Sequence, residues 1–157
     1  MTCGRWERRQ PLAFADLFCA GRTCLNQYTL RTTTTGLRKA LFKWERGVCQ
    51  TCGVDMHALC ERIKVLPREK RAAVVVAAAP AFAVRGNGKA LQRLVESAAE
   101  GCAWHADHKV AVRDGGGECG LDNLTTLCVL CHQQRHKDDH KRWAEENRCA
   151  KQTRVCR

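Results

Sequence analysis

The amino-acid sequence predicts an α+β fold: a hairpin, a loop and a helix built on a four-cysteine zinc knuckle, with a mainly helical insertion. Three observations predict it. Two pairs at Cys-x2-Cys spacing, Cys49 with Cys52 and Cys128 with Cys131, match a tetrahedral zinc site. Between the pairs, helical periodicity gives way to an alternating segment typical of a strand. Helical periodicity resumes around the second pair.

The chain divides by pattern into an arm, a domain and a tail. Residues 1–16 lack clear periodicity and predict a loose N-terminal arm, 17–147 form the domain, and 148–157 form a C-terminal tail. The first helix of the domain ends at Gly47. Its apolar residues recur at helical spacing: Leu37, Ala40, Leu41 and Trp44.

Residues 54–100 separate the zinc loop from the hairpin, and we predict that they form a helical insertion. Two of its helices are stopped by Pro67 and Pro80, and the third follows the turn Gly86-Asn87-Gly88. The three helices cover His57 to Leu66, Arg71 to Ala79, and Ala90 to Ala98.

The pattern changes after Gly101. Trp104 to Val112 alternates and predicts a strand, and Gly115-Gly116-Gly117 requires a turn or loop. The last helix should begin at about Leu127 or Cys128 and run toward Asn147.

Charge and cysteine content restrict the partners and the compartment. With 27 Lys and Arg against 16 Asp and Glu, the net charge of +11 favours a polyanionic partner, of which nucleic acid is the commonest. The alternative is a soluble basic protein without such a partner. The longest apolar run, Ala72 to Val84, contains Pro80 and is shorter than the roughly 20 residues that cross a bilayer. Twelve cysteines without a signal peptide favour zinc in a reducing compartment, so we expect an intracellular protein, nuclear if eukaryotic.

Four thiolates close the zinc shell, so this zinc should be structural and a reacting ion must bind elsewhere. Cys19 and Cys24 could hold a second zinc with another ligand, or could pack as buried thiols. The remaining cysteines that we considered lack ligand spacing: Cys60, Cys102, Cys119, Cys149 and Cys156.

A second set of residues could hold and use a divalent ion. Asp107 and His108 point to opposite faces of one strand, so Asp107 can bind the ion while His108 acts as a general base on water. His132, fixed by the adjacent Cys131, is the second expected ligand. His136 follows by four residues on the same helix face and is the third, with a solvated or phosphate-contacting histidine as the alternative.

Asn123 and six basic residues complete the candidate site. The Asn123 amide can accept and donate at once, which suits it to brace the loop and orient His108, and the alternative is an ordinary asparagine in a turn. Phosphate contacts are expected from basic residues beside the hairpin and on the last helix, each of which could also be a solvated surface residue. They are Lys109, Arg113, Arg135, Lys137, Lys141 and Arg142.

In combination, these motifs resemble the HNH endonuclease family, and within it the HNH domain at the C-terminus of zinc-finger annealing helicases. The resemblance covers roughly residues 17–140. It is carried by Gly47-Val48-Cys49-Gln50-x-Cys52-Gly53, Trp104-x2-Asp107-His108, Gly115-Gly116-Gly117-x-Cys119, the run Leu121 to His132, and the segment with Phe18, Cys19, Cys24, Tyr28, Arg31, Leu37 and Arg38.

The resemblance implies a DNA endonuclease in which Asp107 and His132 bind the divalent ion, His108 is the base and Asn123 fixes the loop. Asp107 stands where many members have a histidine, which favours Mg²⁺ or Mn²⁺. No helicase accompanies the domain in this sequence, so that activity is not carried over. We expect no membrane and no organic cofactor, and a monomer or weak dimer. The alternatives are a non-catalytic nucleic-acid-binding zinc module and a protein-interaction zinc finger.

Overall fold

The computed structural model describes residues 34–117 and 120–155, which form two compact units. One unit contains 34–44, 108–117 and 120–124, and the other contains 45–107 and 125–155. The expectations for the arm at 1–16, for Cys19 and Cys24, and for Cys119 and Cys156 lie outside the described residues.

The first helix, α1, spans Thr34–Glu45, as its periodicity predicts. Leu41 is 5% exposed, whereas Trp44 is 81% exposed. Trp44 lies in the last turn of α1, after which Arg46 and Gly47 have positive φ angles of 49° and 77° and the chain changes direction. The helix predicted from these apolar residues is therefore confirmed.

The insertion folds as the three predicted helices and one short turn of 3₁₀ helix. Helix α2 spans Met56–Lys64, α3 Arg68–Ala78, and α4 Gly88–Glu96, while Pro80–Ala83 forms the 3₁₀ turn. Helix α3 packs against α2, α4 and this turn. The core is made of apolar side chains that are at most 2% exposed: Met56, Ile63, Val75, Phe82 and Leu94.

Arg71, in α3, ties together the ends of two other helices. Its Nε donates to Leu66 O at 2.9 Å, its Nη2 to Lys64 O at 3.1 Å, and its Nη1 to Val95 O at 3.0 Å. Carbonyl groups at helix C-termini lack partners within the helix and carry partial negative charge. The guanidinium therefore joins the C-terminal ends of α2 and α4.

The second half of the fold is a hairpin followed by a long helix. Strands β1 (Trp104–His108) and β2 (Leu124–Cys128) form a two-stranded sheet. Val129 N donates to Ala103 O at 2.9 Å, and Lys109 N donates to Asn123 O at 2.8 Å, so the strands are antiparallel. Helix α5 spans Val129–Val155. In the part of the chain that the structure describes, no helix combines the length and apolarity that crossing a bilayer requires.

Three sequence-based expectations for this half need correction. The strand predicted to reach Val112 ends at His108, because the Asn123 side chain bonds both the N–H and the C=O of Val110 and takes the backbone out of the ladder. The helix expected to start at Leu127 or Cys128 starts at Val129. That helix also continues past Asn147 into the segment predicted as a tail.

Residues before Val129 are extended because both backbone groups of Thr126, its C=O and its N–H, are hydrogen-bonded to distant parts of the chain. Gln50 N donates to Thr126 O at 2.9 Å, and Thr126 N donates to a carboxylate oxygen of Glu45. Both bonds come from the chain flanking the first zinc loop. β2 is thus fixed by contacts that are distant in sequence.

We expect Arg71→Met to lower the free energy of unfolding by about 2–3 kcal/mol, because bonds from a charged donor are worth about 1.5–3 kcal/mol and three carbonyls lose their partner. Urea denaturation followed by far-UV circular dichroism measures the change. Arg93→Met, at an exposed arginine of α4, is the control and should stay within about 0.5 kcal/mol of the parent. Equal stability of the two variants would contradict a stabilising role for the three hydrogen bonds of Arg71.

Candidate metal centres and the asparagine loop

The first cysteine loop is shaped by a tight turn in the unit that contains 45–107 and 125–155. Gly47 has φ +77°, and a Cβ there would lie 2.8 Å from His57 Cβ and 3.4 Å from the Trp104 ring, so glycine is required for this close approach. Cys49 N donates to Val54 O at 2.9 Å and Gly53 N donates to Cys49 O at 2.8 Å. The turn presents the thiols of Cys49 and Cys52 on one side.

The second cysteine pair brings its thiols to the same point. Cys128 ends β2 and Cys131 lies in the first turn of α5, and the four Sγ atoms are within 4.8 Å of one another. Cys52 Sγ lies 3.8 Å from Cys128 Sγ. Four sulfurs at about 2.3 Å from a tetrahedral zinc are about 3.8 Å apart, and a disulfide is about 2.05 Å long. The cluster therefore fits a zinc ion and has the arrangement of a structural site.

The protonation chemistry of the thiols agrees with a cluster that needs a cation. Burial opposes ionisation of Cys49, but backbone hydrogen bonds from Cys128, Cys52 and Thr51 outweigh it and lower its pKa to about 7. Burial raises the pKa of Cys128 to about 11 and also raises that of Cys131, with further increases from the neighbouring thiols. Four ionised sulfurs packed this closely repel one another unless a metal ion compensates their charge.

A second metal-ligand cluster is formed by β1 and the same helix. Asp107, on β1, and His132 and His136, on α5, place one ligand atom each within 4.8 Å of the others. His132 Nε2 is 4.0 Å from Asp107 Oδ1. Ligand atoms of a six-coordinate ion at about 2.1 Å are about 3–4.2 Å apart, so small side-chain adjustments would let these three hold a divalent cation. The structure thus brings together all three residues expected to bind it.

His132 is kept in a form that can bind a metal ion. Burial lowers its pKa, as do the nearby His105, His136 and Arg135, while Asp107 acts in the opposite direction. The net effect favours the neutral imidazole, which has a lone pair for coordination. The rings of His132 and His136 are 4.5 Å apart at 62°.

His105 is a site residue that the sequence reasoning missed. Its ring stacks on that of His132, with centroids 4.6 Å apart and an interplanar angle of 25°. The signal was present, because His105 precedes Asp107 by two residues on a strand and side chains two apart point to the same face.

Arg135 occupies a different position from the one expected for a purely phosphate-contacting residue. Its Nε lies 3.7 Å from Asp107 Oδ2, so the guanidinium pairs with the carboxylate of the metal-ligand cluster. Its side chain is 32% exposed. Arg135 therefore contacts one of the three candidate metal ligands directly.

Asn123 stabilises a loop in the unit that contains 34–44, 108–117 and 120–124. Its Oδ1 accepts from Val110 N at 2.7 Å, and its Nδ2 donates to Val110 O at 3.2 Å and to Gly116 O at 3.1 Å. A Cβ at Gly116 would lie 2.0 Å from Val110 O, so the middle glycine of the triplet is needed for this approach. His108, the expected base, is half-buried at the end of β1 and belongs to this unit.

The other basic residues expected to contact phosphate are exposed. Lys109 Nζ donates to Asp122 O at 2.8 Å, and Arg113 Nε lies 3.6 Å from Asp114. Arg142 pairs with Asp139 at 3.2 Å and with Glu146 at 3.8 Å on the surface of α5. Lys137 and Lys141 lie on the exposed surface of the same helix.

Comparison with known proteins assigns the class that this zinc cluster, hairpin and helix define. The family model described as "HNH endonuclease" matches residues 96–138, which contain both strands and the metal-ligand histidines of α5. The crystal structure of the human ZRANB3 HNH domain superposes with a TM-score of 0.61 at 32% identity, covering 74% of this chain and 97% of that one. The chain belongs to the HNH endonuclease family.

Two full-length relatives carry the same name, "DNA annealing helicase and endonuclease ZRANB3". The mouse protein is 32% identical over 153 residues and the bovine protein 31% identical over 147 residues. These matches cover 98% and 94% of this chain, but only 14% and 13% of the relatives. The chain therefore corresponds to a small part of those proteins.

Replacing one ligand of the cysteine cluster should remove the metal and the fold that depends on it. We expect Cys131→Ala to lose one equivalent of bound zinc, measured by atomic absorption, together with most of its helical circular dichroism, since structural zinc contributes directly to folding. Cys149→Ser, at an exposed cysteine of α5 outside the cluster, should keep both. Full zinc content in the Cys131 variant would contradict the assignment.

We expect Asn123→Ala to lower the free energy of unfolding by about 1–3 kcal/mol, because it leaves the N–H and C=O of Val110 and the C=O of Gly116 without these partners. Thermal unfolding monitored by circular dichroism measures this change. Asn147→Ala is the matched control, because Asn147 makes one surface bond, from Nδ2 to Trp143 O. Equal melting temperatures for the two alanine variants would exclude a stabilising role for the Asn123 hydrogen bonds.

Proposed function

We propose that this chain is a metal-dependent endonuclease that hydrolyses DNA phosphodiester bonds. The observation that carries the proposal is the cluster of Asp107, His132 and His136 in a member of a nuclease family. The two histidines of this cluster lie on the helix that begins at the cysteine site, so folding around zinc would fix the direction of both imidazoles. A purely structural zinc module does not require such a second ligand set.

Each residue has a proposed role in hydrolysis. Asp107, His132 and His136 would hold Mg²⁺ or Mn²⁺, which would supply positive charge to neutralise the scissile phosphate and to stabilise the leaving oxygen. His108 accepts a proton from the attacking water through its imidazole. Asn123 keeps the loop that follows β1 in one conformation and so limits the directions open to His108.

DNA is the proposed substrate because the chain carries a net charge of +11 and its basic residues flank the motif. Lys109, Arg113, Lys137, Lys141 and Arg142 would contact phosphates, which set position rather than sequence preference. The name of the relatives includes an endonuclease, and we propose the same activity for this chain, with selectivity for the structure of the DNA. A reducing compartment, the nucleus in a eukaryote, suits the free thiolates, and a monomer or weak dimer would nick one strand per site.

A second candidate function is a non-catalytic nucleic-acid-binding zinc module. The specific observation in its favour is the Arg135–Asp107 pair, because a carboxylate already paired with an arginine could be structural. The two functions differ in what happens to the substrate, since only the nuclease changes its covalent structure.

We expect the protein to nick supercoiled plasmid with Mg²⁺ or Mn²⁺ and not with a chelator of these ions, and His108→Ala to lower the rate about 10²–10⁴-fold without weakening DNA binding. Gel separation of supercoiled, nicked and linear DNA measures cleavage, and fluorescence anisotropy measures binding. His140→Ala, at an exposed histidine of α5, is the matched control and should cut at the parental rate.

Two outcomes would go against the proposal in different ways. A His108→Ala variant that cuts as fast as the parent would remove the base assignment while keeping the nuclease. Retained zinc and salt-sensitive DNA binding without any cutting, in the parent as in Asp107→Asn, would favour the binding module.

A further inference from the structure

The carboxylate of Asp107 has a basic group near each of its oxygens. Arg135 Nε is 3.7 Å from Oδ2, and His132 Nε2 is 4.0 Å from Oδ1. The Asp107 side chain is 17% exposed, so water screens this group only in part. A permanent positive charge therefore lies beside the group proposed to bind a divalent cation.

We propose that Arg135 restrains divalent-ion binding until a DNA phosphate arrives, and so couples ion binding to substrate binding. This inference rests on the proposed function and adds a specificity-determining residue to it. Without DNA, Arg135 satisfies Asp107 and repels an incoming cation. With DNA, the phosphodiester becomes the partner of Arg135, and Asp107 is released to the ion.

The chemistry of arginine favours this coupling. A guanidinium carries a permanent positive charge, so the repulsion between Arg135 and an ion persists while the guanidinium stays beside Asp107. The repulsion ends when Arg135 moves away or acquires an anionic partner. Its planar group forms paired hydrogen bonds with phosphate as readily as with carboxylate, which makes a phosphodiester a suitable replacement partner.

The position of Arg135 separates it from the ordinary ion pairs of the same helix. Arg142 pairs with Asp139 and Glu146, which are three and four residues away on α5, and such surface pairs contribute little. Arg135 instead contacts a residue of β1 and lies between the two helix ligands, His132 and His136. Its charge is therefore placed to act on the ion.

The coupling is reciprocal by linkage. If DNA raises the affinity for the ion by some factor, the ion raises the affinity for DNA by the same factor. Loss of Arg135 should bring this factor closer to one. An uncoupled site would bind the ion equally with and without DNA.

The test is a titration of zinc-loaded protein with Mn²⁺, with free Mn²⁺ followed by electron paramagnetic resonance. Each sample is measured alone and with a short DNA duplex, all in a His108→Ala background so that the duplex stays intact. The variants are Arg135→Gln, which removes the charge, Arg135→Lys, which keeps it, and Asp107→Asn, which removes a ligand. Arg148→Gln is the matched control, at an exposed arginine of α5 whose Nη2 lies 3.9 Å from Glu145. Zinc content and circular dichroism verify the fold of each.

Without DNA, we expect Arg135→Gln to bind Mn²⁺ about tenfold more tightly than the parent, and Arg135→Lys and Arg148→Gln to bind as the parent does. DNA should tighten Mn²⁺ binding about tenfold in the parent, within the usual range for coupled sites, and much less in Arg135→Gln. Unchanged or weaker Mn²⁺ binding by folded Arg135→Gln would overturn the inference and leave the nuclease proposal standing. Mn²⁺ binding that Asp107→Asn does not reduce would overturn both.

Discussion

The approach of the four cysteine thiols, in a cluster that fits one zinc ion, is the interaction on which the rest of the structure depends. Cys52 and Cys128 are 76 positions apart, and their sulfurs are 3.8 Å apart. Drawing such distant segments together carries an entropic cost that metal–thiolate bonds would offset. The approach also brings Gln50 and Glu45 to Thr126, which holds β2 extended, and it fixes the first turn of α5.

The insertion is a small helical core with its own internal support. Its buried residues come from α2, α3, α4 and the 3₁₀ turn, and Arg71 joins the ends of two of these helices from within. The sequence could predict its three helices because Pro67 and Pro80 act locally on the backbone. It could not predict the hydrogen bonds of Arg71, because nothing local in the sequence distinguishes Arg71 from a surface arginine.

In the candidate sites too, some features follow from local sequence spacing and others from contacts between distant segments. The cysteine pairs and the histidines at i and i+4 have fixed spacings, so their grouping could be predicted from the sequence. The extent of the second strand, 124–128, could not, because the bonds of Thr126 join it to Glu45 and Gln50, which are distant in sequence. The pairing of Arg135 with Asp107 likewise depends on how α5 and β1 approach each other, which no spacing encodes.

The adjacency of Cys131 and His132 has a consequence for how this chain can change length in evolution. One residue added between them would turn the imidazole by about 100° around α5, since an α-helix has 3.6 residues per turn. Insertions and deletions should therefore be excluded from the segment between Cys128 and His136. The turn that contains Gly86 and Gly88 is under no such restriction, because an added Cβ at either glycine would meet nothing within 4 Å. Length variation should accumulate there, away from both metal-ligand clusters.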